Sequence, residues 1–201
     1  AGLFLSLTAV LASCGSSSET SSDTVAVTAD VFPVTVGDLT LDAQPTRIIS
    51  LSPTATEMLY AIGAGSQVVA VDEYSNYPAE AVALGTPLSG FEPNIEAISG
   101  YTPDLVIISY DPGSLVEQLS TLNIPVFVAG AAMSIENVYE QIEQLGVLTG
   151  NSQKAIEVSK TLQAGIEEAV ASVQFSEPPL SYYYELDNTY YSVTSNTFIG
   201  Q

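Results

Sequence analysis

The pattern of apolar and polar residues changes its period several times along the chain. Residues 31–41 alternate around Gly37 and Asp38, and this period of two with a Gly-Asp turn predicts a β-hairpin. Farther on, short apolar runs rich in β-branched residues predict buried strands. These runs occupy residues 47–51, 68–71, 104–109 and 125–129.

Stretches with a period near 3.6 residues lie between these runs and predict helices. One begins beside Ser52 and Pro53, which suit the cap and the first position of a helix, and ends near Gly63. The others occupy residues 94–99, 114–122, 134–145 and 151–173. Because strands and helices alternate, the sequence predicts an α/β fold with a Rossmann-like parallel sheet between layers of helices. The Tyr-rich residues 180–185 predict one further strand.

The first part of the chain predicts export. Residues 2–13 are uncharged and mostly apolar, with the length of a signal-peptide core rather than the ~20 residues of a membrane span. Cys14 follows among small residues, which resembles a bacterial lipobox whose cysteine is lipidated. The alternative is a buried free cysteine behind an ordinary signal peptide. Residues 15–24 are rich in Ser, Thr and Gly and predict a flexible linker.

Composition narrows the chemistry that the chain can perform. Its 201 residues include 3 Lys or Arg, 23 Asp or Glu, one Cys and no His, for a net charge of −20. Three cations cannot form the basic footprint that nucleic acid requires. Without His there is no Ser-His-Asp arrangement, and the usual zinc ligands are missing as well. We therefore predict no catalytic residues, metal or cofactor, and a site lined by carboxylates, hydroxyls, tyrosines or backbone groups.

Several motifs occur together in a recognisable order. They are PTRIISLSP at 45–53, YSNYP at 74–78, PNIEAI at 93–98 and PDLVII at 103–108. In this order and spacing the chain, from residue 31 to 201, resembles the vitamin B12 and iron-siderophore family of ABC-transporter substrate-binding proteins. The resemblance implies two α/β lobes joined by one long helix, with the ligand held between the lobes.

The resemblance also divides the chain into segments. Residues 1–14 would be a signal-peptide remnant with the lipobox, and 15–30 a flexible linker. Residues 31–150 would form the N-terminal lobe and 151–175 the helix between the lobes. Residues 176–201 would be the start of a C-terminal lobe that is cut short.

Residues at the carboxyl ends of the predicted strands are the candidates for ligand binding. In parallel α/β sheets ligands lie beyond these ends, which here carry Ser52, Pro53, Tyr74, Phe91 and Tyr110. The five residues are uncharged and include three aromatic rings. That composition suits stacking against a large, partly apolar ligand.

Each candidate also has a purely structural alternative. Helix capping explains Ser52 and Pro53 without a ligand, and Phe91 could belong to the hydrophobic core. Tyr74 could simply pack in its own loop. Tyr190, near the end of the chain, is a further predicted ligand contact, although the β-propensity of tyrosine explains its occurrence there.

Glu96 has a different predicted role, which follows from the resemblance. In the family, a glutamate at this place in the Asn-x-Glu motif docks the N-terminal lobe onto an arginine of the permease. The alternative is an exposed carboxylate that the helix macrodipole favours, and Glu92 is a nearby competitor for the docking role.

The resemblance implies a monomeric, non-enzymatic solute receptor of an ABC importer, held by a lipid on the extracytoplasmic face of the cell membrane. Its ligand would be a corrinoid such as cobalamin or an iron chelate. Cobalamin is favoured because an anionic ferric siderophore usually needs Arg or Lys in its pocket, and the first lobe offers only Arg47. A heme receptor, with Tyr as the iron ligand, remains an alternative. A carboxylate-based glycoside hydrolase and an adhesion or cell-wall module are the other classes, without a supporting motif.

Overall fold

A computed structural model of the chain describes residues 30–174, 177–178, 180–181, 183–185 and 187–200. The predicted signal segment and Cys14 lie outside these residues. The described part begins with a hairpin of β1 (Val34–Val36) and β2 (Leu39–Leu41), antiparallel with Val36 opposite Leu39. The turn between them places Gly37 at a φ of 56°, a left-handed conformation that glycine adopts without strain. The predicted hairpin is thus confirmed.

Four parallel strands form the main sheet, in the order β4-β3-β5-β6. They are β3 (Ile48–Leu51), β4 (Val68–Val71), β5 (Leu105–Ile108) and β6 (Val126–Val128). All four lie within the predicted runs, and the bounds of β4 agree residue for residue. The first strand of this sheet, β3, is therefore an inner strand, with β4 on one side and β5 and β6 on the other.

The described part of the chain contains six α-helices. They are α1 (Pro53–Ala61), α2 (Ala79–Val82), α3 (Ile95–Gly100), α4 (Leu115–Ser120), α5 (Ile135–Thr149) and α6 (Ser152–Ser172). Short 3₁₀ turns occur at Gly65–Gln67, Pro112–Ser114 and Phe198–Gly200. The sequence predicted every α-helix except α2, which has only one turn.

Alternate residues of the central strands pack on opposite faces of the sheet, as the pleat requires. On one face Ile48, Leu105 and Ile107 join the hairpin and helices α1 and α5 in one buried cluster. On the other face Ile49, Leu51, Val106 and Ile108 pack with residues of α3 and α4. Two buried layers therefore fix the positions of the strand ends.

Helix α5 extends four residues beyond its predicted end, and Gly150, in the left-handed conformation, caps it. The packing of α6 against α5 requires a glycine at position 146, because a Cβ there would lie 2.4 Å from the Cβ of Ala155. The two helices are thus in close contact at the start of α6. Beyond Ser159 the residues of α6 are exposed, including its apolar residues Leu162, Ile166 and Val170.

The predicted strand at 180–185 is wrong. Among its described residues only Glu185 takes part in a bridge, to Ser192, and the others are irregular. The described residues of this Tyr-rich run make one isolated bridge, so high β-propensity alone does not produce a strand here. Within the described residues, no helix has the length and apolar character to cross a bilayer.

Candidate functional site

At the carboxyl end of the sheet, the chain leaves two adjacent strands, β3 and β5, towards opposite sides of the sheet. The connection after β3 leads to β4 on one side, whereas the connection after β5 leads to β6 on the other. A crevice opens between adjacent strands whose connections diverge in this way, and it is the usual ligand position in parallel α/β sheets.

Two cavities occupy this crevice, on either side of Tyr110. The first, of about 290 Å³, is lined by Leu51, Pro53, Asp72, Tyr74, Gly90, Phe91, Ser109 and Tyr110. The second has a volume of about 380 Å³. Its lining is Ser52, Thr54, Ala55, Met58, Ser109, Tyr110, Ala129, Gly130, Ala131, Ala132, Val138 and Gln141. Both volumes are near the lower end of the ~300–1,000 Å³ that small-molecule sites span.

A row of three aromatic side chains forms the rim of the first cavity. The ring centroids of Tyr74 and Phe91 lie 5.5 Å apart with the planes at 86°, an edge-to-face arrangement. Those of Phe91 and Tyr110 lie 6.2 Å apart with the planes at 47°. Each ring is at least 43% exposed, and Phe91 is 62% exposed, so the alternative that Phe91 belongs to the core is wrong. Exposed, mutually supported rings can stack against a flat apolar ligand.

The loop that carries Phe91 is held against the loop after β4. The hydroxyl of Ser89 donates to Glu73 Oε1 at 2.9 Å and accepts from the backbone N–H groups of Phe91 and Glu92. Gly90 lets this loop pass close to the end of β3, since a Cβ at position 90 would lie 2.8 Å from the carbonyl oxygen of Leu51. The position of Phe91 between the two tyrosines therefore depends on this loop contact.

Beneath the first cavity lies a chain of buried polar side chains, which we call the hydroxyl chain: Ser50, Thr56, Ser75 and Asp72. Ser75 Oγ donates to Asp72 Oδ1 at 2.6 Å and lies 2.9 Å from Thr56 Oγ1. Thr56 donates to Ser50 Oγ at 2.8 Å, and Ser50 donates to the carbonyl of Ser52. All four side chains are at most 5% exposed. The hydroxyl chain ties the ends of β3 and β4 to the start of α1.

Burial raises the pKa of the Asp72 carboxyl above its ordinary value. The neighbouring Glu73 carboxylate raises this pKa further, whereas the hydrogen bond from Ser75 opposes the shift. Neither cavity is lined by Lys or Arg. A negative charge on Asp72 would therefore face the cavity without a neighbouring cation.

The structure brings together five of the six residues predicted to bind ligand. Pro53, Tyr74 and Phe91 line the first cavity, Ser52 lines the second, and Tyr110 lines both. Ser52 also caps α1 through a hydrogen bond from Ala55 N–H at 3.3 Å, so capping and cavity lining coexist. Tyr190 lines neither cavity and is 79% exposed.

Two residues of the site were missed from the sequence. Asp72 and Ser109 are the first residues after β4 and β5, the position at which polar side chains meet a ligand in this fold. The sequence prediction names only the aromatic residues after these two positions, Tyr74 and Tyr110. The positions of Asp72 and Ser109 at the strand ends therefore indicate both polar residues, although a prediction based on aromatic stacking does not include them.

Glu96 lies apart from the cavities, exposed in the first turn of α3. Asn94 caps this helix, accepting from Ala97 N–H at 2.9 Å. Within the described residues, no group of three or more Asp, Glu, Cys or His is placed to hold a metal ion.

Comparison with known proteins decides the family. Residues 48–201 match the sequence profile of a family described as "Periplasmic binding protein". This chain belongs to that family. Its members bind solutes and are not enzymes, which confirms the expectation of a binding protein.

Relatives of this periplasmic binding protein include proteins of Halobacterium salinarum and Bacillus subtilis. It is 34% identical over 181 residues to a cobalamin-binding protein of Halobacterium salinarum, covering 84% of this chain and 48% of that protein. An uncharacterised ABC transporter substrate-binding lipoprotein of Bacillus subtilis is 30% identical over 168 residues, covering 79% and 53%. The chain thus spans about half the length of the relatives it matches.

Solved structures of the family share this fold. The periplasmic vitamin B12 binding protein of Vibrio cholerae aligns with a TM-score of 0.60 and 30% identity, over 72% of this chain and 57% of that one. A possible iron-binding, periplasmic solute-binding protein of Staphylococcus epidermidis aligns with a TM-score of 0.72. It is 24% identical, over 78% of this chain and 63% of its own, and shows the fold alone.

Proposed function

We propose that this protein is the receptor of an ABC importer and that it captures a corrinoid, with cobalamin the favoured ligand. The aromatic row at the carboxyl end of the sheet carries this proposal, since Tyr74, Phe91 and Tyr110 present exposed ring faces beside two cavities. The names of the Halobacterium and Vibrio relatives support the same ligand. The absence of Lys and Arg from both cavities argues against an anionic chelate.

The ligand would be held between two lobes. In this proposal residues 31–150 form the first lobe, residues 151–175 the helix between the lobes, and residues 176–201 the start of the second. Each cavity alone is smaller than a corrinoid, which supports a ligand that is also contacted from a second lobe. The protein would act as a monomer.

The proposed location is the extracytoplasmic face of the cell membrane. Residues 1–14 would contain signal-peptide sequence with its lipobox, Cys14 would be the lipidated residue, and residues 15–30 the flexible tether. The name of the Bacillus relative, a substrate-binding lipoprotein, supports this arrangement.

Ligand titration tests the proposed function. Tyr74 and Tyr110 line the first cavity, so quenching of the intrinsic fluorescence of the full-length protein measures ligand binding. We expect saturable quenching by cyanocobalamin and weaker or no binding of hemin and of ferric siderophores. Tighter binding of a ferric siderophore or of hemin would show that the ligand is an iron chelate and not a corrinoid. Binding of none of them would contradict the receptor role for these ligands.

Glu96 is the proposed contact with the permease. It is exposed on a short helix away from both cavities, and an exposed carboxylate at a docking surface sets orientation and association rate. We expect Glu96→Ala to leave cyanocobalamin affinity unchanged and to lower uptake through the cognate permease by about tenfold. Uptake into proteoliposomes that contain the permease is the measurement.

Glu117 provides the matched control for this variant. It is also an exposed carboxylate in the first turn of a short helix, α4. Glu117→Ala should change neither ligand binding nor uptake. Equal uptake by the Glu96 and Glu117 variants would contradict the docking role.

A further inference from the structure

We propose that Asp72 sets the charge preference of the first cavity, as a hydrogen-bond acceptor for N–H or O–H groups of a ligand without net negative charge. This inference deepens the proposed function and rests on it. It assigns a polar contact to a site whose other predicted contacts are mainly aromatic.

The position of Asp72 is the first support. The residue is 4% exposed, yet it lines the cavity together with Tyr74, Gly90 and Phe91. Its Oδ1 accepts the hydrogen bond from Ser75, which fixes the carboxyl group. Its Oδ2 lies on the Gly90 side, 3.0 Å from the place that a Cβ on Gly90 would occupy. Glycine at position 90 therefore leaves this oxygen uncovered by a side chain.

The charges around the cavity are the second support. The charged neighbour of Asp72 is another carboxylate, Glu73, and no Lys or Arg lines the cavity. Arg47 precedes β3, at the opposite end of the sheet, where its guanidinium donates to the carbonyls of Tyr101 and Thr102. Lys154 and Lys160 lie on α6.

A buried carboxylate without a partner cation favours a ligand that donates hydrogen bonds and disfavours one that brings further negative charge. The amide side chains of a corrinoid are neutral donors. The propionates of hemin and the oxygens of a ferric catecholate carry negative charge. Asp72 thus discriminates between neutral and anionic ligands, whereas the aromatic row alone would bind both.

The test is a pair of calorimetric titrations at pH 7, with cyanocobalamin and with hemin, on the full-length protein and on Asp72→Asn. The substitution keeps the size of the side chain and an oxygen that can accept from Ser75. We expect cyanocobalamin affinity to fall about tenfold, the loss expected for one hydrogen bond to a charged group. Hemin affinity is expected to rise, so the two ligands respond in opposite directions.

Two further variants keep the test decisive. Glu57→Gln removes one negative charge from the exposed side of α1, outside both cavities, and should change neither affinity. Asp72→Ser removes the carboxylate and retains a hydroxyl, and it should shift the preference as Asp72→Asn does. Circular dichroism confirms that each variant is folded, and Asp72→Ser decides the outcome if Asp72→Asn does not fold.

The possible outcomes separate this inference from the proposed function. An unchanged ratio of the two affinities in the folded Asp72 variants would overturn the inference and leave the receptor role intact. A parent protein that prefers hemin would overturn it as well. A parent protein that binds neither ligand would overturn both proposals. A purely structural role for Asp72 would lower stability without changing the ratio of the two affinities.

Discussion

Phe91→Ala is expected to lower the affinity for cyanocobalamin by about 10- to 100-fold, the range for an aromatic residue at the centre of a binding surface. Phe91 lies between Tyr74 and Tyr110 and contacts both rings. Its removal deletes one stacking surface and leaves the two tyrosines without lateral support. Since the side chain is 62% exposed, the stability of the fold should change little.

Isothermal titration calorimetry measures the affinity, and thermal unfolding checks the fold. Val82→Ala is the control, because Val82 is also an exposed apolar side chain, 52% exposed on α2 and outside both cavities. It should bind ligand like the parent protein. A Phe91→Ala variant with parental affinity would show that the aromatic row does not bind the ligand.

Leu59→Ala is expected to reduce the free energy of unfolding by about 2–5 kcal/mol, through lost burial and the cavity that remains. Leu59 is fully buried in α1, within the cluster that packs this helix on the sheet. The same helix begins at Ser52 and Pro53, so looser packing of α1 would also disturb both cavities.

Urea denaturation followed by circular dichroism gives the free energy of unfolding, with an unchanged m-value as the sign of an intact two-state transition. Leu122→Ala truncates the same residue type at a position that is 48% exposed, and it should cost less than about 0.5 kcal/mol. Similar losses in the two variants would mean that α1 does not contribute to the core in the way described.

The α/β architecture was predictable because its signals are local. The bounds of β4 follow from a run of four apolar residues, and the start of α1 follows from Ser52 and Pro53. The strand order β4-β3-β5-β6 was not predicted, since it depends on packing between segments distant in sequence. The sequence predicts an end of α5 at residue 145, four residues too early, because the packing of Gly146 on Ala155 of α6 cannot be inferred from one segment alone.

The candidate site was predictable to a similar extent. Tyr74 and Tyr110 lie in the loops that follow β4 and β5, so the general rule for parallel sheets places them at the crevice. The exposure of Phe91 was not predictable, because it depends on the hydrogen bonds of Ser89 across two loops. The place of Asp72 at a strand end was predictable, but its link to Thr56 through Ser75 was not, since Thr56 lies on α1.

The hydroxyl chain has more oxygen–oxygen contacts at hydrogen-bond distance than its hydroxyl groups have protons. Four oxygen–oxygen contacts link Asp72, Ser75, Thr56, Ser50 and the carbonyl of Ser52, and the three hydroxyls supply one proton each. When Asp72 is ionised, Ser75 donates to Asp72 and Thr56 donates to Ser50, so no proton remains between Thr56 and Ser75. A protonated Asp72 supplies the fourth proton, and each oxygen can then donate to the next. Lowering the pH towards the raised pKa of Asp72 therefore adds the missing hydrogen bond beneath the first cavity and breaks none of the others.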